Sequence, residues 1–348
     1  MRSRFQSGGR ISRFLLALAG LSLVAVLMAM PGVGSAAPTD RPFKLKFAEP
    51  SFTAMSWPLY AAKEKGFFKT EGLDMEWNIV ANPQDLTRAL MAGSFAVAVM
   101  NTPVPIGAAE KGGNVRIIAG LGKDIPYDLV GAKGIKSIKE LRGKKISASS
   151  LRSGTTILTR KVLEAEGLKE GDYGIIVAGS SPERYAAIKG GSVAASPMGP
   201  PFNIMAMVEG FPKLVSYKKY IGDYQWLILM ANTDFGKEHP DVVVRFLKGV
   251  VRGQQWMADK RNKEEAIKLL IKELKMTKPG DDKIAATSYE YLYEELQGMT
   301  ADGSLSDKGM QTAVELMAEG GQVKPGTPWK KYADLSFVEK AQKELGLK

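Results

Sequence analysis

Ser149-Ser150-Leu151-Arg152-Ser153-Gly154-Thr155-Thr156 crowds hydroxyls, a glycine and an arginine into one short stretch that opens a helical segment. Helix N-termini carry unpaired N–H groups and a partial positive charge, so this loop is suited to holding an anion. Arg152 could add a bidentate contact to a carboxylate or sulfonate. Plain helix capping by Ser153 or Thr155 is the competing account, with Arg152 turned to solvent. Two further loops carry ligand chemistry. Ser51-Phe52-Thr53-Ala54-Met55-Ser56-Trp57 sets hydroxyls beside an indole, as small-molecule pockets often do, although Trp57 taken alone reads as core. Asn101-Thr102 places an amide and a hydroxyl directly after a buried apolar run, where N-capping before Pro103 is the alternative. Met198 and Pro200, followed by Pro201 and Phe202, offer an apolar wall. The candidate ligand-binding residues are therefore Ser51, Thr53, Trp57, Asn101, Thr102, Ser150, Arg152, Ser153, Gly154, Thr155, Met198 and Pro200. No acidic residue stands in these loops, which favours an organic anion over a cationic amine.

Other constellations carry less. The chain has no cysteine and a single histidine, His239, so a Cys/His metal site is not available, and any histidine-dependent triad would need that residue. His239 precedes Pro240 at a helix start and reads as a cap or a solvated side chain. Residues 134–145 contain Gly and Lys without the spacing of a phosphate-binding loop. Asp281-Asp282 lacks further oxygen ligands spaced for a cation. No nucleophile–base pair, metal or cofactor is expected.

These loops need elements to position them, and the chain reads as alternating strands and helices. Strand candidates fall at 44–48, 73–80, 95–100, 115–121, 145–149, 173–178 and 193–197. Helical segments fall at 54–65, 83–91, 155–165 and 182–188. Such alternation predicts parallel sheets covered on both faces. From Pro240 onward the pattern turns helical, with apolar stripes at Val243, Phe246, Leu247, Val250 and Val251 and at Ala266, Leu269, Leu270 and Leu274. A short internal echo supports two similar halves: Ala89-Leu90-Met91-Ala92-Gly93-Ser94-Phe95-Ala96 against Ala187-Ile188-Lys189-Gly190-Gly191-Ser192-Val193-Ala194. In each, a helix ends at glycine, a serine turns the chain, and a strand follows. Ligands of open α/β sheets lie outside the carboxyl ends of the strands.

The N-terminus predicts export. Arg2, Arg4, Arg10 and Arg13 precede an uncharged apolar run at 14–30; Pro31-Gly32 then break it, and Gly34-Ser35-Ala36 offers a small-residue cleavage signal. Cleavage is expected after Ala36, with an uncleaved anchor helix as the alternative. Losing four arginines and no acid lowers the formal charge from +11 to +7. The mature chain of roughly 310 residues is large enough for two lobes. Its lysines are scattered and not interleaved with aromatics, which argues against nucleic acid as a partner.

Ala61-Ala62-Lys63-Glu64-Lys65-Gly66-Phe67-Phe68-Lys69-Thr70-Glu71-Gly72-Leu73-Asp74-Met75-Glu76 closely resembles the opening of the alkanesulfonate-, taurine- and thiamine-precursor-binding components of ABC importers. Ile138-Lys139-Glu140-Leu141-Arg142-Gly143-Lys144-Lys145-Ile146 and the Ser/Gly-rich loop at 149–156 extend the match over most of 43–255. The resemblance implies an α/β, type II periplasmic binding protein, its two lobes joined by a hinge with a cleft between them. Residues 37–132 and 224–348 would form lobe I and residues 133–223 lobe II, with crossovers near 131–137 and 217–224. It also implies ligand roles for Trp57 and for the loop at 149–156. Two departures stand out: Ala96 and Ala194 replace an aspartate usual in the family, and Gly199-Pro200-Pro201-Phe202 replaces a loop of Trp-Asp-Pro-Tyr type. The expected function is a non-catalytic, monomeric, periplasmic protein that delivers a small solute to a transporter permease. The alternatives are an enzyme of the thiamine-pyrimidine synthase-like branch, which would need histidine and a cysteine-rich iron motif, and a ligand-sensing domain docking to a membrane receptor.

Overall fold

The computed structural model describes residues 41–347. The expected leader at 1–36 lies outside the described residues. Two five-stranded sheets organise the chain. The strands are β1 (Phe43–Glu49), β2 (Leu73–Ile79), β3 (Val97–Asn101), β4 (Val115–Gly122), β5 (Asp128–Gly131), β6 (Lys145–Ala148), β7 (Gly174–Val177), β8 (Ala195–Met198), β9 (Lys213–Ser216) and β10 (Leu227–Asn232). The first sheet runs β2-β1-β3-β10-β4 and the second β7-β6-β8-β5-β9.

Neither sheet is purely parallel, contrary to the expectation from the alternating pattern. β1 pairs β2 and β3 in parallel, and β6 pairs β7 and β8 in parallel. β10 runs antiparallel to β3 and β4, and β5 antiparallel to β8 and β9. β5 and β10 are each the first strand laid down after the chain passes from one sheet to the other, so each enters its sheet from the opposite end. The crossovers accordingly lie at 123–127 and 217–226. The first falls earlier than the expected 131–137, because β5 belongs to the second sheet rather than to lobe I.

The internal echo is a structural repeat. The helices Pro83–Met91 and Ser181–Lys189 both end in a glycine turn, Gly93 at φ 74° and Gly191 at φ 71°. A side chain rarely adopts that backbone conformation, which explains glycine at both positions. Ser94 N donates to Ala89 O and Ser192 N to Ala187 O, each at 3.0 Å, before β3 and β8 begin.

The first sheet is covered by the helix Pro240–Ala258, whose Val243, Phe246, Leu247, Val250 and Val251 are all buried. Gly253 on that helix lies against the helix Trp57–Glu64 so closely that a Cβ would stand 2.1 Å from the Pro58 carbonyl. Ala266, Leu269 and Leu270 join the same core, with Leu274 packed partly buried against it. His239 takes the N-cap position of the helix Pro240–Ala258 but makes no side-chain cap bond; its ring packs against Phe43 and Phe235, with centroids 5.3 and 5.0 Å away.

Candidate functional site

The carboxyl ends of β1, β3, β6 and β7 converge on a cavity of about 50 Å³ between the two sheets. From the first sheet, the loop after β1 brings Ser51, Thr53 and Ser56, and β3 ends at Asn101. Thr53 caps the turn Ala54–Ser56: its side chain accepts from Met55 N at 3.3 Å, while its own N–H donates to Tyr60 Oη at 3.0 Å. Behind this lining, fully buried Glu49 accepts from Ser56 Oγ and, at 2.6 Å, from Trp77 Nε1. Burial pushes its carboxyl up to about 7, against the hydrogen bonds from Ser56, Trp77 and Tyr60.

The second sheet contributes Ser149 and Thr155 after β6, and Ser180, Ser181 and Arg184 after β7. Arg184 is 2% exposed and is the one formally charged residue among the described residues lining the cavity. Its Nε donates to Ser180 O and its Nη2 to Ser181 Oγ, both at 3.2 Å. Its guanidinium carbon lies 5.7 Å from the centre of the Tyr127 ring. Its Nη1, also buried, finds no hydrogen-bond partner among the described residues. A buried guanidinium with a donor to spare is costly unless it meets an anion or a strong acceptor. The crossovers themselves supply an aromatic wall, Tyr127 and Trp226, with centroids 4.8 Å apart. The cavity thus offers hydroxyls, one amide, two aromatic rings and one positive charge. Chemically, that set suits an anionic head group, since no carboxylate among the described residues lining the cavity opposes it.

Of the sequence candidates, Ser51, Thr53, Asn101 and Thr155 line this cavity. Trp57 does not. It is wholly buried behind the lining, where its Nε1 donates to Ala266 O at 2.8 Å and its ring meets Tyr289 and Tyr293 edge-on. Thr102 is consumed in structure, donating to the carbonyls of Gln225 and Trp226. Ser153 is the N-cap of the helix Gly154–Ala165, with Oγ accepting from Thr156 N at 3.3 Å. Ser150 is buried beside it, its carbonyl accepting from Thr156 Oγ1 at 2.6 Å. Arg152 is exposed and lines an outer groove with Arg88 and Lys111; the arginine that lines the cavity is Arg184. Gly154 acts by its size, packed against Asn101 and Pro103 across the two sheets. Met198 sits in a satellite core with Val130 and Ala206. Pro200 meets the first sheet's loop at the rim, its carbonyl accepting from Ala54 N at 3.3 Å.

Sequence reasoning missed Tyr127, Ser181, Arg184 and Trp226. One signal was available. The internal repeat, extended back through its helices, equates Pro83 with Ser181 as helix starts, and both line the cavity.

The family model described as NMT1/THI5 like matches residues 54–264. YtlA of Bacillus subtilis (strain 168), whose name provisionally calls it a binding protein, is 22% identical over 93% of this chain and 98% of its own. The nitrate-binding protein NrtA of Synechocystis PCC 6803 superposes with a TM-score of 0.72 at 18% identity, covering 88% of this chain and 90% of NrtA. The alkanesulfonate-binding protein SsuA of Xanthomonas axonopodis pv. citri, solved with MOPS, gives 0.66 at 14% identity, covering 87% of this chain and 99% of SsuA. These likenesses establish the periplasmic-binding-protein fold, with two α/β lobes.

Proposed function

The chain belongs to the NMT1/THI5-like family, and from that premise we propose that it is the substrate-binding protein of an ABC importer for a small organic anion, a sulfonate or a carboxylate. The reading rests on Arg184: among the described residues its buried guanidinium has one nitrogen unpartnered, and no carboxylate lines its cavity. The solved structures of similar fold whose names carry nitrate and alkanesulfonate support an anionic ligand. The leader at 1–36 directs the chain to the periplasm and is removed there. The mature protein works as a monomer, performs no chemistry on its ligand, and presents its closed form to a membrane permease.

A thermal-shift panel of organic anions, amines and pyrimidines on residues 37–348 tests this. An anion present at 100 times its dissociation constant stabilises the protein by about 2.7 kcal/mol. Stabilisation by amines and by no anion contradicts it.

A further inference from the structure

Glu49 ends β1 one side chain behind the cavity wall. It is fully buried and does not line the cavity itself. Its carboxyl is hydrogen-bonded by Ser56, Trp77 and Tyr60. Trp77 Nε1 can only donate, and Tyr60 Oη already accepts from Thr53 N at 3.0 Å. Ser56 differs from both, because it alone of the three also lines the cavity. Its single hydroxyl proton can point at the carboxyl or into the cavity, but not at both.

The protonation state of Glu49 chooses between those directions. An ionised carboxylate only accepts, so Ser56 Oγ donates to it and turns its lone pairs to the cavity. A protonated carboxyl donates to Ser56 Oγ instead, which frees the hydroxyl proton for a ligand, while Trp77 keeps its acceptor on the other oxygen. An anion gains a donor in the second state. In the first it meets lone pairs with a negative charge behind them.

The groups around Glu49 leave this choice open to the ligand. β3, beside it in the sheet, carries no titratable side chain from Val97 to Asn101. Lys63 stands 5.8 Å from the centre of the Trp77 ring but pairs with Glu273 at 3.1 Å, and Glu273 opposes a charge on Glu49. Burial holds Tyr60 protonated, well above the ordinary tyrosine range. His239, the chain's one histidine, packs against Phe43 at the opposite end of β1. Arg184 lines the same cavity from the second sheet's side, and its charge is the one a bound anion would neutralise.

We infer that the site takes up a proton together with its anion: Glu49 is a positioning residue that, through Ser56, offers the ligand a donor only when its carboxyl is protonated. The inference rests on the anion reading above and adds the proton that accompanies the ligand. That proton comes from solvent and ends on Glu49, and no other covalent bond changes. By linkage, an anion that binds the protonated form more tightly raises the carboxyl's hold on its proton further. Affinity is then flat in acid and falls as pH rises through the range in which the free protein's Glu49 ionises, centred at about 7.

Calorimetry on the mature protein decides it, with the better-bound of hexanesulfonate and heptanoate as probe. Bis-Tris and Tris serve as buffers, since neither is an anion and the two differ in ionisation enthalpy. Wild type should bind about tenfold more weakly near pH 8.5 than near pH 6. Near pH 7.2 the heats in the two buffers should differ by an uptake of roughly 0.3–0.6 proton per anion. Glu49→Gln puts a permanent amide donor beside Ser56 and should show neither the fall nor the uptake. Ser56→Ala keeps the carboxyl but breaks its route to the cavity, and should lose most of the fall. Each variant's melting curve is checked first, and the wild-type uptake is read without them. Binding with no proton uptake, a fall that survives in Glu49→Gln, or one undiminished in Ser56→Ala overturns the inference and leaves the anion reading standing. If neither probe binds at any pH, the anion reading itself fails and takes this inference with it.

Discussion

Gly154 and Asn101 meet across the two lobes with no space for a methyl group between them. A Cβ on Gly154 would stand 2.8 Å from Asn101 Oδ1 and 3.0 Å from Pro103 Cδ. The glycine starts the helix Gly154–Ala165 in one lobe, and Asn101 ends β3 in the other. The contact lets the two lobes approach while Thr155, the next residue, and Asn101 both reach the cavity.

Gly154→Ala should therefore hold the lobes apart. Overpacking of this kind costs about 1–3 kcal/mol, or roughly 5- to 150-fold in ligand affinity if the whole cost falls on closure. Small-angle scattering at saturating ligand should give a larger radius of gyration than wild type. A variant that closes and binds like wild type would show that the contact does not gate closure.

Trp57→Phe should lower stability and leave ligand selectivity alone. Trp57 is fully buried, and the substitution leaves Ala266 O without its indole donor and opens space beside Tyr289. Together these should cost about 1–3 kcal/mol in urea unfolding. Dissociation constants for short and long anions should stay within twofold. A selective loss for bulky ligands would return Trp57 to the ligand wall.

Stability should fall as pH rises through the range set by Glu49. Its ordinary value is 4.5, and burial raises it to about 7 in the fold, with the negative charge of Glu273 adding to the effect. Between those values the folded chain keeps a proton that the unfolded chain has released, so unfolding becomes easier with each step up in pH. The loss is complete above about 7 and absent below about 4.5. Glu49→Gln keeps an acceptor for Trp77 Nε1 and removes the titration. Wild-type melting temperatures measured from pH 4.5 to 8 should drop relative to this variant and then run parallel to it. Curves parallel throughout would mean that Glu49 does not titrate in this range.

Most of the local structure was legible in the sequence because periodicity and turn chemistry are local. The helix Pro83–Met91 begins at the proline and ends before the glycine that the sequence marked, and the echoed octapeptides form the same turn twice. Strand direction was not legible, since β5 and β10 owe their antiparallel pairing to the path of the whole chain. β5, β9 and β10 were all missed; β5 has four residues and opens with Asp128, a charge that reads as loop. The structure buries that charge against Asn203 Nδ2 at 2.8 Å. The cavity's hydroxyls were legible in the sequence, and the arginine that lines it was not. Arg152 sits in a conspicuous Ser/Gly loop, whereas Arg184 follows Glu183 on a polar helix and looks solvated until the lobes are assembled around it.

The most direct test of the account compares two arginines by calorimetry with hexanesulfonate and heptanoate as probes, each variant first shown to be folded by its melting curve. Arg184→Gln should weaken the better-bound probe by about 1.5–3 kcal/mol, roughly 10- to 150-fold, the worth of a hydrogen bond to a charged group. Arg152→Ala should bind within twofold of wild type, because Arg152 faces the outer groove. Unchanged affinity in Arg184→Gln, or a loss carried by Arg152→Ala instead, would contradict the assignment of Arg184 as the anion's receptor.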